Sequence, residues 1–260
     1  MNNFVKTPLF KCLLVILSVF AWFLIWELGA YLYDFESLFP GPIKTVKTLF
    51  TLVGEWAFWK SIIYTFCRIF FGLLIGIALG ISLTVICRLL PFLRSFISIG
   101  MSVVKSTPVA SFVLILYLLL DLEHKTFLPM IIAVMMVSPI IWQNLTDGFN
   151  NSVDKNLLEV AKIFEFSRIK TAKTVYLPPL IKHFTPAVLS SIGMAWKAGV
   201  AAEVIAYTKN SIGKSIADAK SNWDGDILFA WTLVVIVISI ALEFGAKIML
   251  KRSGKKNASN

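Results

Sequence analysis

Charge is what this sequence has least of. Only 15% of its 260 residues are Asp, Glu, Lys or Arg, while 57% are hydrophobic. Soluble domains carry about 25% charged residues, so this composition excludes an ordinary soluble globular domain. Cysteine is nearly absent too. Cys12, Cys67 and Cys87 all lie in apolar stretches, are odd in number and have no metal-ligand spacing. That excludes a disulfide framework and a thiolate metal site, and leaves three small buried hydrophobes. No Gly-x-x-x-x-Gly-Lys-Ser/Thr occurs, so the chain has no loop to hold nucleotide phosphates. His-Glu-x-x-His and Gly-x-Ser-x-Gly are missing as well. The net charge is +10, but no aromatic-basic RNA signature or DNA-reading helix accompanies it. Nucleic acid is therefore not an expected partner.

What the chain does have is long apolar runs, with a mean hydropathy of +0.78. A bilayer span takes about 20 residues. Six spans are expected, near Leu9–Tyr33, Ile62–Cys87, Leu93–Leu120, Thr126–Phe149, Pro179–Tyr207 and Ile227–Leu250. The first is too long for a signal-peptide core and lacks a small-residue cleavage site, so it reads as a retained helix. The third is interrupted by Lys105 and Ser106-Thr107-Pro108, and Pro108 can kink a helix or begin a new one. Basic residues set the expected topology. Lys6 and Lys11, Arg88 and Arg94, the run from Lys155 to Lys182 and the tail from Lys247 to Lys256 all fall on one side if both termini are cytoplasmic.

One stretch departs from this pattern. LLEVAKIFEFSRIKTAKTVYLPPL, Leu157 to Leu180, is charged and basic between apolar neighbours. Asp154 can cap a helix starting at Lys155, in which Leu157, Ala161 and Phe164 share a face. Ser167 can cap a second helix carrying Ile169, Ala172 and Tyr176, stopped by Leu177-Pro178-Pro179. Two short amphipathic helices at the inner membrane surface are expected, with a bend near Glu165-Phe166. Taken by itself, such a loop could rest on anionic membrane lipid.

The order of residues is more specific than that. Glu159-Val160-Ala161, followed by Val175, Leu177 and Pro178, closely resembles the EAA loop of bacterial ABC importer permeases. That pattern reads Glu-Ala-Ala, three residues, Gly, nine residues, Ile, one residue, Leu-Pro. Glu159, Ala161, Leu177 and Pro178 match in place; Val160 and Val175 are conservative replacements. Glu165 stands at the family's Gly position. A non-Gly residue there either accepts a left-handed backbone, at a cost of about 1 kcal/mol, or moves the bend to Phe166-Ser167. The resemblance extends over roughly residues 39–252. Ser61 to Arg68 with Phe71-Gly72, then Ser190 to Lys197 with Ala201-Ala202-Glu203, are similar to the nitrate/sulfonate/taurine-type subgroup.

This resemblance implies an all-α integral membrane protein of six transmembrane helices with the type I importer permease fold. It implies an N-terminal helix over 1–34, a permease core over 35–252 with the coupling loop at about 150–180, and a disordered tail over 253–260. The place implied is the bacterial inner membrane. The chain would carry no cofactor, because a separate ATPase subunit binds ATP and Mg. Its other implied partners are a second, identical permease and an extracytoplasmic binding protein. In the loop, Leu157, Ala161 and Phe164 would fill a groove on the ATPase, with Glu159 making polar contacts. The reading from another class is a passive channel or membrane scaffold, which accounts for the spans but not for the ordered loop.

Charges within spans are costly and are usually paired. Arg68 lies about two turns inside the end of its span and Glu203 about one turn inside the same end of another. Their depths suit an ion pair, structural or gating. Lys197 sits about 9 Å deeper, and it either faces a translocation path, which would suit a small anion, or holds helices together. Gly72, Gly76 and Gly80 make one small-residue face, for packing within the chain or between subunits. Trp56, Trp59, Trp223 and Tyr207 are expected in an interfacial belt. His124 and His183 have no expected ligand role.

Overall fold

A computed structural model describes residues 8–257 except 34, 36, 122 and 123, with side chains described between residues 13 and 250. Lys6 and the end of the expected tail, 258–260, lie outside the described residues. All regular structure among the described residues is helical, and five helices are individually long and apolar enough to cross a membrane. They are α1 (Pro8–Tyr33), α3 (Trp56–Leu89), α6 (Leu128–Asn151), α9 (Leu177–Ala206) and α11 (Gly225–Asn257). The expected third span is a pair instead: α4 (Leu93–Ser106) and α5 (Val109–Leu119), bent by 102° at Thr107-Pro108. Thr107 is extended and Pro108 caps the new helix. That follows from proline's missing amide hydrogen and from its steric block on a helical residue before it.

The chain divides into two compact units. One comprises residues 1–60 and 215–234. Two helices here lie in segments the apolar pattern leaves as loops: α2 (Pro42–Val53) and α10 (Ile212–Ser221), the latter shared between the units. Pro42 starts α2, where a missing N–H costs nothing. Within this unit the Trp26 indole donates to Pro40 O at 3.1 Å, Trp26 and Phe229 stack at 5.9 Å, and Phe58 lies 4.8 Å from Trp231.

The other unit, 61–214 with 235–260, holds the larger core. Helices α6 and α9 form its most extensive pair. Val113 of α5, Leu128 and Ile132 of α6, and Ala198, Ala202 and Ala206 of α9 are buried together. The glycine face of α3 packs on α6. A Cβ on Gly72 would come within 2.7 Å of Ala133 Cβ, one on Gly76 within 2.7 Å of Val137 Cβ, and one on Gly80 within 2.7 Å of Ile141 Cβ. The stripe therefore serves packing within the chain. The Trp196 indole donates to Val235 O of α11 at 3.1 Å. Helix α11 runs through Asn257, so the expected disordered tail is helical up to that residue.

Candidate functional site

The basic insert folds as a capped turn of chain between α6 and α9. Helix α7 (Lys155–Ile163) starts where Asp154 accepts from Asn156 N at 2.8 Å. It ends in a Schellman turn: Phe166 N donates to Ala161 O at 2.8 Å and Glu165 N to Lys162 O at 3.1 Å. Such a turn needs a left-handed residue after the cap, and Glu165 supplies it with φ 49°. Of the two outcomes open to Glu165, the strained one is realised and the bend stays at the glycine position.

Two expectations for the insert are corrected. Ala161 is only 3% exposed, so it faces the chain's own interior and cannot enter a partner's groove. Leu157, Ile163 and Phe164 are exposed, Phe164 at 70%. Ile163 was missed because it lies off the stripe drawn through Ala161. The prolines also do not stop the second helix. Ser167 does cap α8 (Arg168–Thr171), accepting from Lys170 N at 3.3 Å. A π turn over Ala172–Tyr176 then leads straight into α9, whose first turn holds Pro178 and Pro179. Prolines are tolerated there because first-turn amides have no intrahelical acceptor. The Leu177 amide closes the π turn on Ala172 O. Glu159 is exposed, and Tyr176 of the π turn lies against Phe149 of α6 at 5.8 Å.

A second cluster forms at the other end of α9. Arg68 of α3 and Glu203 of α9 meet, Nη1 to Oε1, at 3.3 Å. Glu203 is fully buried, yet both carboxylate oxygens are satisfied. Thr65 Oγ1 donates to Oε2 at 2.8 Å and Gly213 N donates to it at 3.3 Å. Thr65 Oγ1 also accepts from Ile212 N at 3.0 Å. The carboxylate thus sits at the N-terminus of α10, where unsatisfied amides favour negative charge. Arg68 extends past it to donate to Lys209 O at 2.9 Å and Asn210 O at 3.2 Å. The turn it clamps contains two residues of positive φ, Tyr207 at 53° and Asn210 at 50°. Gly213 has no room for a side chain: an added Cβ would collide with Glu203 Cβ and with the backbone of Val204.

Lys197 is not part of this cluster. Its Nζ lies 3.8 Å from Glu243 Oε1 of α11, and the lysine is 66% exposed. The two border an open cleft of about 380 Å³ with Ser190, Gly193 and Lys247. Glu243 was missed in the sequence, although a single acid in the run ISIALEFGA is a visible signal. No cluster of three or more metal-ligating side chains occurs among the described residues. His183 contacts Ser152 Oγ at 2.7 Å, joining the loop end of α9 to the segment after α6.

Residues 72–255 match the family of binding-protein-dependent transport system inner membrane components. A probable ABC transporter permease protein of Haemophilus influenzae is 25% identical over 231 residues, 88% of this chain and 91% of that one. The taurine transport system permease protein TauC of Escherichia coli is 22% identical, covering 88% and 84%. Among solved structures, a bacterial ABC transporter that imports alginate aligns over 93% of this chain and 95% of that one, with TM-score 0.63 and 16% identity. The MetNI methionine transporter aligns over 75% and 93%, with TM-score 0.54 and 14% identity.

Proposed function

Because this chain belongs to the family of binding-protein-dependent transport system inner membrane components, a permease and not an ATPase, we propose that α7 is the joint through which a separate ATPase subunit drives it. The observation that carries this is the build of α7. It is a nine-residue helix closed at both ends, by Asp154 and by the Glu165 turn, that exposes Leu157, Ile163 and Phe164. A helix fixed at both ends can transmit a push, whereas a frayed one would absorb it. Its continuation through α8 and the π turn into α9 supports direct transfer of movement to a span. Leu157 and Phe164 fill a groove on the ATPase, Ile163 joins them, and Glu159 makes the polar contact; Glu165, Leu177 and Pro178 shape the loop.

The rest of the reading follows from the family. Two copies of the chain enclose the pathway, an extracytoplasmic binding protein delivers the solute, and the partner ATPase binds ATP and Mg. Both termini and the EAA loop are cytoplasmic in the bacterial inner membrane. The solute is small and anionic, of the sulfonate, nitrate, taurine or vitamin-precursor kind, an assignment favoured by the subgroup resemblance and by the taurine permease relative. Arg68 and Glu203 form a structural lock at the side where solute enters. Lys197 lies on the pathway with Glu243.

Co-purification from the native host in mild detergent tests this. An ATPase subunit should be recovered with the wild-type chain and lost with Glu159→Lys. Failure to recover one, even after crosslinking at Phe164→Cys, would return the insert to a lipid-surface role.

A further inference from the structure

Helix α4 turns its two faces the opposite way from a helix of a soluble protein. Phe96, Ile99 and Val103 recur at helical spacing and are exposed. Arg94, Ser98, Ser102 and Lys105 share the other face and border a cleft of about 570 Å³ against α6. No residue of α4 is buried, so this polar face is not packed away. In a membrane chain, charges directed at the protein and aromatics directed away from it indicate lipid outside and a polar cavity inside.

The facing wall comes from α6. Lys105 Nζ donates to Gln143 Oε1 at 2.8 Å, which sets one end of the cleft. Trp142 lines it, is 7% exposed, and its indole N–H has no acceptor among the described residues. The Thr146 hydroxyl, also in the lining, is buried and without a partner there. Both polar atoms lie beneath the surface of the cleft wall, so the groups that meet a solute are the charged side chains. Two cations, Arg94 and Lys105, face one anion, Asp147. A smaller recess that shares Arg94 and Thr146 adds Arg88. The volume falls in the range of small-molecule sites, about 300–1,000 Å³.

We propose that the cleft between α4 and α6, at the end of α6 that leads into the EAA loop, is a binding site for a small solute bearing an oxyanion, with Arg94 and Lys105 neutralising it. The site rests on the permease reading. It is separate from Arg68, Lys197 and Glu203, none of which lines it.

The test uses the transporter assembled with its ATPase in nanodiscs, with native cysteines replaced by Ala and a single reporter, Ser102→Cys. The reporter should react with a sulfonatoethyl methanethiosulfonate at least about fivefold faster than with a trimethylammonium-ethyl one, relative to a free thiol. Arg94→Gln with Lys105→Gln should abolish that preference, and ethanesulfonate in the buffer should slow the reaction. Ile99→Cys, on the exposed apolar face, should show neither effect. Equal or reversed charge preference overturns the site, as does a lack of protection by ethanesulfonate. Slowing by phosphatidylglycerol in the nanodiscs, with no further slowing by ethanesulfonate, would assign the cleft to a lipid headgroup and likewise overturn it. If the first reporter does not assemble, Ser98→Cys takes its place. Loss of these effects while the ATPase still co-purifies overturns the site alone; absence of the ATPase from the wild-type chain overturns the permease reading.

Discussion

Glu165 and Glu203 are two acidic residues in costly positions, and the cost differs in kind. Glu165 bears backbone strain at φ 49° in an exposed turn. Replacing it with Gly should remove about 1 kcal/mol of strain. The expected result is slower proteolysis within 160–170 and unchanged or tighter ATPase recovery; faster cleavage would mean that the glutamate side chain holds the turn. Glu203 bears the cost of burying a charge, offset by Arg68, Thr65 and the Gly213 amide. Arg68→Met alone should destabilise by roughly 3–5 kcal/mol, because it leaves the carboxylate without its cation. Arg68→Met with Glu203→Met should recover much of that loss. Thermal unfolding in detergent reads both, and a double variant as unstable as the sum of the singles would show no coupling. The pairing itself was legible as two charges at matching depth. The backbone turn that Arg68 also holds was not, because carbonyls carry no sequence signature.

Among the elements, the glycine stripe of α3 shows how one residue type has opposite consequences by place. Gly76→Ala puts a methyl 2.7 Å from Val137 Cβ, so α3 and α6 must part. The expected cost is about 1–3 kcal/mol. Gly245 in α11 has nothing within 4 Å of an added Cβ. There Gly245→Ala should be neutral or stabilising, by up to about 1 kcal/mol of helix propensity. Melting temperatures of the two variants should move in opposite directions; a shared direction would remove the packing argument. The spacing of Gly72, Gly76 and Gly80 marked a close helix contact, but the partner, α6, came only from the fold. The same limit applied to α7. Its N-cap was readable at Asp154, as was that of α8 at Ser167, while the inward turn of Ala161 depended on what lies beneath it.

For the whole molecule, the five long apolar helices and the bent α4–α5 pair leave many apolar side chains exposed, as lipid contact requires. The clefts between α4 and α6 and beside Lys197 are both open, and two copies of the chain are proposed to enclose the pathway. Native mass spectrometry of the detergent-extracted complex should therefore find two copies of this chain per assembly. A single copy with full ATPase coupling would sink the paired-pathway reading.

The sequence by itself determined the membrane class and the long apolar helices, and it marked the N-caps of α7 and α8 and two span charges, Arg68 and Glu203, at matching depth. Each of these depends on local period, length or a costly residue type, all of which neighbours in sequence reveal. Tertiary structure alone decided that Ala161 faces inward, that Pro178 and Pro179 begin α9 rather than end α8, that Lys197 meets Glu243, and that α4 and α6 enclose a polar cleft. Those outcomes depend on which helix face meets which neighbour, and that is set by packing between segments far apart in the chain.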